Sequence, residues 1–506
     1  MSNKNLSYSE EKKWVHFVGV CGSAMGSLAT ALSQSGFQIT GSDRSFFDPM
    51  KSVLEESEVL IQNKFSKKNL KGETWGLSSL YPDVVVVGNA ISRDNEEAQA
   101  LEALLNKKAL IQKLSFPEAL AIWGIQDRES LVLSGTHGKT TTSTMAVHSL
   151  QSLGLDPAYL IGGIPLNSKK SCQLKTSGKT FVCEGDEYDT AYWAKHSKFL
   201  YYKASWVVCT GVEFDHADIF SSIEDILEMF YQLIEKTSRG WILIDEESSL
   251  NPESTEKIAK KLTSSGLSLL RYGFSSRSDV QIQDWSYESL PWSLGERGIL
   301  ATIKVNSIGQ GKIYLPFSGK HNLLNFASII AFLTATQKID SFSQLQEIAK
   351  TYLGVKRRQE NFHKNDSTLF VDDFAHHPSA IRETLQGLKS LYPERSLQVF
   401  FEPASATSGR NIHFNDFLSA FDESNSLFVF NKIKKNIPED ERLNVDLLCE
   451  KLKEKNPNKS YFSEENVDQL FSQYKKHLES NHDKKNLTVL MSNSSFSGLK
   501  EMMKGL

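Results

Sequence analysis

Residues 131–154 read LVLSGTHGKTTTSTMAVHSLQSLG: an apolar run, a turn bracketed by glycines, and a stretch with helical periodicity. That order is what a phosphate loop requires. Gly135 and Gly138 let backbone amides wrap phosphate oxygens, and the helix start adds free N–H groups and the positive end of its dipole. Lys139 is suited to neutralise β and γ oxygens, and the Thr140 hydroxyl to ligate Mg²⁺. Leu133 stands where the general G-x-x-x-x-G-K-[ST] pattern has its first glycine. The stretch is read as a strand, a nucleotide-binding loop and a helix, and it predicts an α/β fold around it.

Moving outward, FVCEGDEYD (181–189) predicts a strand that delivers Glu184, Asp186, Glu187 and Asp189 into a loop. Carboxylates at a strand end beside a phosphate loop suit Mg²⁺ during phosphoryl transfer, and a solvated acidic loop is the alternative. The strand in WVVCTGVEFDHADIF (206–220) ends near Asp215 and His216. Three successive strand ends thus carry Lys/Thr, Glu and His, a combination that points to one site. Upstream, VHFVGVCGSAMGSLATALSQSGFQITGSD (15–43) reads as a β-loop-α-β unit with Gly19, Gly22 and Gly26, ending at Asp43. It departs from the dinucleotide fingerprint at Cys21 and Ala24, so it is either a pyrophosphate site or a tight turn. In VVVVGNAISRDNEEAQAL (84–101), Asn89, Ser92 and Asn95 either meet a ligand or cap the next helix.

The 506 residues suffice for about three domains, each with its own core. Short apolar runs at Val15–Val20, Val84–Val87, Leu131–Leu133, Trp206–Cys209, Trp241–Ile244, Leu369–Val371 and Leu397–Phe401 alternate with amphipathic stretches, the α/β rhythm. Polar stretches at GIQDRES and GVKRRQENFHKNDS divide the chain into 1–127, 128–354 and 355–506, and 250–315 reads as a β-rich insertion. With 57 basic and 61 acidic residues the net charge is −4, which argues against a nucleic-acid partner or a polybasic membrane surface. Five scattered cysteines without a C-x-x-C pair fit a reduced compartment. No apolar run reaches the roughly 18 residues of a membrane span, and VHFVGV is too short for a signal peptide. A cytoplasmic protein without membrane insertion is expected.

Taken together, GTHGKTT, EGDEYD, FDHADIF, SGKHNLLNFASIIA (318–331) and VDDFAHHPSAI (371–381) resemble the Mur ligase family, ATP-dependent amide-forming enzymes of peptidoglycan assembly. The resemblance implies a Rossmann-like N-terminal domain, a central P-loop ATPase domain and a Rossmann-like C-terminal domain. GVCGSAMG, TGSDRSFFDPM, EGDEYDTAYW, SKFLYY, GVKRRQE, FEPASAT and MSNSSFSG are similar to the branch that joins L-Ala-γ-D-Glu-meso-diaminopimelate to UDP-N-acetylmuramate in recycling of the wall. It implies that UDP-N-acetylmuramate meets Cys21, Gly22, Ser23, Met25, Gly26 and Asp43, together with Asn89, Ser92 and Asn95. ATP is implied at Gly135, Thr136, His137, Gly138, Lys139, Thr140 and Thr141, with His321, Asn322 and Asn325 toward adenine, Asp373 at ribose and Arg358 at phosphate. Mg²⁺ is implied at Thr140, Glu184 and His216, and the murein tripeptide at His376 and His377, which with Lys139, Glu184 and His216 form the catalytic set.

Two departures stand out. SSIEDILEMFYQLI (221–234) lacks the lysine that some relatives carbamylate, and Ala404 stands where relatives carry Arg, with Arg410 nearby. Three other readings compete: the sister enzyme adding L-alanine alone, a Rossmann oxidoreductase on a nucleotide sugar, and a non-catalytic nucleotide-sugar sensor. The oxidoreductase leaves GTHGKTT and EGDE unexplained.

Overall fold

The apolar run after Lys13 becomes the middle strand of a parallel sheet. The computed structural model describes residues 13–46, 50–214, 220–293, 296–405, 407–432, 437–481 and 483–506. The first sheet has β1 (Trp14–Val18), β2 (Gln38–Ser42), β3 (Leu60–Gln62), β4 (Val84–Val87) and β5 (Gln112–Ser115). They lie in the order β3-β2-β1-β4-β5, all parallel, with α1 (Ser23–Gln34), α2 (Met50–Glu56), α3 (Glu96–Asn106) and α4 (Phe116–Leu120) between and after them. Every residue of β1 and β4 is buried, as unbroken apolar strands covered on both faces should be. The strand order reverses between β1 and β4, so the loops after these strands flank a crevice of the kind where ligands bind in open α/β sheets.

The second sheet is built on the phosphate-loop strand. Its strands are β6 (Glu129–Ser134), β7 (Ala158–Leu160), β8 (Cys172–Gln173) and β9 (Thr180–Gly185). A separate hairpin, β10 (Asp189–Ala191) and β11 (Ala194–Ser197), follows. The sheet resumes with β12 (Trp206–Cys209), β13 (Gly240–Ile244), β14 (Ser268–Gly273), β15 (Val280–Ser289), β16 (Arg297–Val305) and β17 (Gly309–Leu315). The order β17-β16-β15-β14-β13-β12-β6-β9-β7-β8 places β6 between β12 and β9, so the three chemistry-bearing strand ends are neighbours. Helices α5 (Lys139–Ser152), α6 (Ile223–Lys236), α7 (Pro252–Thr263), α8 (Lys320–Ala335) and α9 (Phe342–Thr351) complete this part. The expected β-rich insertion is corrected: 252–263 is helical, started by Asn251 capping and Pro252 in the first turn, and β14–β17 extend the main sheet.

The third sheet has β18 (Glu360–Lys364), β19 (Thr368–Asp373), β20 (Ser396–Phe401), β21 (Ser426–Phe430), β22 (Ser460–Glu464) and β23 (Asn486–Met491). Its order is β18-β19-β23-β20-β21-β22, with only β18 antiparallel, covered by α10 (Pro378–Leu391), α11 (Phe414–Ala420), α12 (Val445–Lys455), α13 (Val467–Glu479) and α14 (Leu499–Lys504).

The apolar cores show how these parts are joined. One face of the first sheet, through Phe116, Leu120 and Ile125, shares a continuous core with Phe181, Phe199, Phe230 and Trp241 of the second. Burying each such aromatic side chain contributes about 1.5–3 kcal/mol. The opposite face of the second sheet packs on α5, α8 and α9. The third sheet has two cores made of its own residues alone. The first two sheets are therefore welded, while the third meets the second across the cavity described next.

Candidate active site

A cavity of about 510 Å³ lies between the second and third sheets, lined by the phosphate loop, the ends of β9 and β12, the start of α8 and the start of α10. Three helices begin there without side-chain caps: α5 at Gly138, α8 at Gly319 and α10 at His377. By contrast, α6, α7, α12 and α13 are closed by Ser222, Asn251, Asn444 and Asn466. Uncapped starts leave backbone N–H groups and positive dipole ends for an anion. Three of them around one cavity suit a polyphosphate.

The phosphate loop is laced to the end of β12. Thr136 N–H donates to the Gly211 carbonyl at 2.9 Å, and Thr210 Oγ1 donates to the His137 carbonyl at 2.5 Å. Gly135 has φ +121° and Gly138 φ +83°, conformations an L side chain rarely adopts. Lys139 Nζ donates to the Gly135 carbonyl at 2.6 Å and to Glu187 Oε2 at 3.1 Å. Burial alone would lower the Lys139 pKa, but the Glu187, Asp186 and Glu184 carboxylates outweigh it and hold it above the usual lysine value. The ammonium is therefore charged and already turned to the loop.

Glu184, at the end of β9, accepts from Thr140 Oγ1 at 3.0 Å and from Gly162 N–H at 2.7 Å. Burial, then repulsion from Asp186, pushes its pKa up. A buried carboxylate beside a threonine hydroxyl is a hard oxygen donor pair. Among the described residues no group of three His, Cys, Asp or Glu side chains forms a metal cluster. His216 and Asp215 lie outside the described residues. Thr141 lines the cavity beside Thr140 and Glu184.

The far wall joins α8 to the third sheet. Asn325 Oδ1 abuts Gly138, where a Cβ would come within 2.7 Å, and Asn322 Nδ2 donates to the Ser318 carbonyl at 2.8 Å. His321 Nδ1 is 3.3 Å from Glu383 Oε2, and Gln359 Nε2 is 3.3 Å from His321 Nε2. Asp373, at the end of β19, accepts the N–H of Gln359 and of Ala375, each at 2.8 Å. The Arg358 guanidinium lies 4.6 Å from the Phe374 ring centroid. Burial pushes Asp373 upward against the Arg358 charge. Arg357 and Gln359, on either side of Arg358, hold φ +60° and +51°. Such strain persists only where surroundings enforce it, here on a connection between the two domains.

A second cluster crosses the domain boundary. His137 Nε2 lies 3.2 Å from Glu213 Oε2 and 3.3 Å from Ser379 Oγ, while Ser379 Oγ is 2.7 Å from His377 Nδ1. The His377 ring is 4.7 Å from that of His413. His376 Nδ1 is 2.9 Å from the Phe374 carbonyl and lines the same cavity. Burial would raise the Glu213 pKa, but His137 holds it below the usual range. Sequence reasoning missed Glu213, Ser379, Gln359 and Glu383; the first three lie inside phrases already singled out, beside His216, His377 and Arg358, whereas Glu383 carried no local signal.

In the first domain, Cys21, Gly22 and Ser23 reach the surface at the turn after β1, and Asn89 and Ser92 are exposed after β4, across the same crevice. α1 starts without a side-chain cap at Gly22. Asp43 Oδ2 accepts the Cys21 N–H at 2.9 Å and so braces the turn. Three expected contacts are corrected. Met25, 6% exposed, belongs to the core because the helix begins at Ser23 and turns that position toward the sheet. Gly26 is buried under Met50 and the Val20 carbonyl. The Asn95 carbonyl oxygen accepts from the N–H groups of Glu97 and Ala98, so this residue caps α3. Arg410 Nε donates to Glu441 Oε2 at 2.8 Å, so its charge is already paired.

Comparison with known proteins follows the same division. Mur ligase family, catalytic domain, matches residues 14–122; Mur ligase middle domain matches 133–333; Mur ligase, glutamate ligase domain, matches 357–492. The chain is 31% identical to the UDP-N-acetylmuramate–L-alanyl-γ-D-glutamyl-meso-2,6-diaminoheptandioate ligase of Haemophilus influenzae, over 82% of this chain and 85% of that one. It is 30% identical to a UDP-N-acetylmuramate–L-alanine ligase of Streptococcus pneumoniae, over 82% and 83%. The crystal structure of a murein peptide ligase from Psychrobacter arcticus superposes with a TM-score of 0.63 at 27% identity, covering 97% of this chain and 98% of that one. With all three domains matched in order around a phosphate loop, the chain belongs to the Mur ligase family, the ATP-dependent ligases that form amide bonds.

Proposed function

We propose that this chain joins the amine of L-Ala-γ-D-Glu-meso-diaminopimelate to the lactyl carboxylate of UDP-N-acetylmuramate, using ATP, in the cytoplasm, for peptidoglycan recycling. The observation that carries the reading is the cavity in which the Lys139 loop and the uncapped starts of α5 and α8 face His376, His377 and the uncapped start of α10 across the domain boundary. The Haemophilus relative's name supplies the two substrates. In this reading residues 1–127 hold the sugar nucleotide, 128–354 hold ATP and 355–506 hold the peptide. No helix among the described residues is long and apolar enough to cross a membrane.

A carboxylate does not acylate an amine until a better leaving group is installed. The lactyl carboxylate attacks the γ-phosphate, giving an acyl phosphate and ADP. Lys139 and the uncapped start of α5 offset charge on the transferred group. Gly135–Thr141 wrap the phosphates, Asp373 and Arg358 meet ribose and phosphate, and His321, Asn322 and Asn325 border adenine. Thr140 and Glu184 are the oxygen pair that fits Mg²⁺, which usually takes only one or two protein oxygens beside phosphates and water. Bound there, Mg²⁺ would supply charge neutralisation to the phosphates.

The alanyl amine then attacks the acyl carbon; the C–N bond forms and phosphate leaves. The proton shed by nitrogen passes to His377, from which Ser379, His137 and Glu213 continue a polar route. Docking of the third domain on the second completes this cluster and closes the acyl phosphate away from water.

Competition between acceptors tests the reading. Phosphate release from ATP, with UDP-N-acetylmuramate and Mg²⁺, is followed with the tripeptide or with L-alanine, and the product is weighed. Turnover with the tripeptide and none above background with L-alanine is expected. Turnover with L-alanine alone assigns the chain to the activity of the Streptococcus relative.

A further inference from the structure

The hairpin β10–β11 belongs to the second domain, yet its turn rests on the first. Tyr192 and Trp193 pack against a cluster that includes Val18, Val87, Ile91 and Leu101. Tyr192 Oη donates to Glu102 Oε1 at 2.7 Å, and Lys113 Nζ donates to the same oxygen at 2.7 Å. The Lys113 ammonium also lies 4.2 Å from the centroid of Trp193, a cation over an aromatic face. A tyrosine, a tryptophan, a glutamate and a lysine from two domains thus form one closed contact.

The other end of this hairpin reaches the phosphate loop. β10 begins two residues after Glu187, whose carboxylate holds Lys139, and Ser197 Oγ at the end of β11 donates to the Glu187 carbonyl at 2.8 Å. A single ribbon therefore runs from Lys139 to the cluster containing Ile91, in the middle of the loop after β4. The contact also lies on its own side of the first sheet. Val15, Phe17, Val84 and Val86 share the core with the second domain, whereas Val18, Val85 and Val87 belong to the cluster under the hairpin. Alternate residues of a strand face opposite ways, so the sheet is gripped on both faces. An apolar seam on one face alone lets a sheet roll; a second, polar and directional contact on the other face fixes its angle.

We infer that Tyr192, with Glu102 and Lys113, is a positioning residue: it sets the first domain's sugar-nucleotide loops at the distance from Lys139 that brings the acceptor carboxylate in line with the γ-phosphate. The inference rests on the function proposed above. It matters because a displacement of about 1 Å at reacting atoms can cost roughly a hundredfold in rate.

The test uses the full chain as wild type, Tyr192→Phe, Tyr192→Ala and Glu102→Gln. Calorimetry gives Kd for UDP-N-acetylmuramate and for ATP separately, and turnover gives kcat and the ADP formed per amide. Expected are both Kd values within about twofold of wild type, with kcat down about tenfold in Tyr192→Ala and about threefold in Tyr192→Phe and Glu102→Gln. ADP per amide should rise above one in Tyr192→Ala, as water replaces a misplaced carboxylate. An unchanged kcat in Tyr192→Ala, a change confined to Kd, or a kcat loss accompanied by a fall in both affinities and in melting temperature would each overturn the inference while leaving the proposed reaction intact. A wild-type protein that forms no amide with either acceptor overturns the reaction, and this inference with it.

Discussion

At Gly138 the fold leaves no room for a methyl group. The residue holds φ +83°, and a Cβ would come within 2.7 Å of Asn325 Oδ1. Gly138→Ala should cost about 1–2 kcal/mol through the backbone alone, and should weaken ATP binding as Asn325 and the loop move apart. Thermal melting and calorimetry check both. Next to it, Lys139→Ala should reduce turnover by roughly 10²–10³-fold, since it removes a preorganised charge from the transferred phosphoryl group. Affinity for UDP-N-acetylmuramate should stay within about twofold; near-parental turnover would contradict this placement. These two residues were legible because the loop's information is local, eight neighbours long. Glu213 and Ser379 were not, because their meeting depends on how the third domain docks, across 166 residues of chain. Asn95 was ambiguous for another reason: capping and ligand binding ask for the same short polar side chain, and only the bonds to Glu97 and Ala98 decide.

Helices repeat the lesson at the next scale. The starts of α5, α8 and α10 lack side-chain caps, but so do those of α9, α11 and α14, so it is the convergence of the first three on one cavity, and not the capping pattern alone, that marks them as anion-facing. The reading of 250–315 as β-rich passed over α7, although Ile258, Ala259 and Leu262 stand at helical spacing after the Asn251-Pro252 start, because strand-like runs fill the rest of that stretch. Helices α5 and α9 are tied by His148, whose Nε2 lies 3.0 Å from the Ile348 carbonyl. Burial holds the His148 pKa below its ordinary value of 6.5. The unfolded chain then binds the proton more readily than the folded one between those two values. Stability should therefore fall as pH drops from above 6.5 toward the folded value. Denaturant titrations across that window should show this dependence reduced in His148→Gln, which keeps a donor for Ile348 without a titrating ring.

The whole molecule is two welded domains and a third, with its own cores, that meets the second around the cavity. Gly124 marks the weld: a Cβ there would lie 2.9 Å from the Phe181 ring and 3.0 Å from Leu120. Gly124→Val should cost about 1–3 kcal/mol by overpacking, read as a lower denaturant midpoint. The three-part division was visible in length and in polar connecting stretches, but the sharing of one core between the first two parts was not, since no local pattern says which face of a sheet another domain will cover. In the proposed function the same asymmetry sets the layout of the chemistry: the rigid pair would bring carboxylate and phosphate together, and the amine would arrive with the third domain. The most direct measurement is turnover of UDP-N-acetylmuramate labelled with oxygen-18 in its lactyl carboxylate, with ATP, Mg²⁺ and the tripeptide, weighing both products. The account predicts amide-linked UDP-muramoyl tripeptide and one labelled oxygen in the released phosphate; amide product with unlabelled phosphate would contradict activation of the carboxylate at the Lys139 loop.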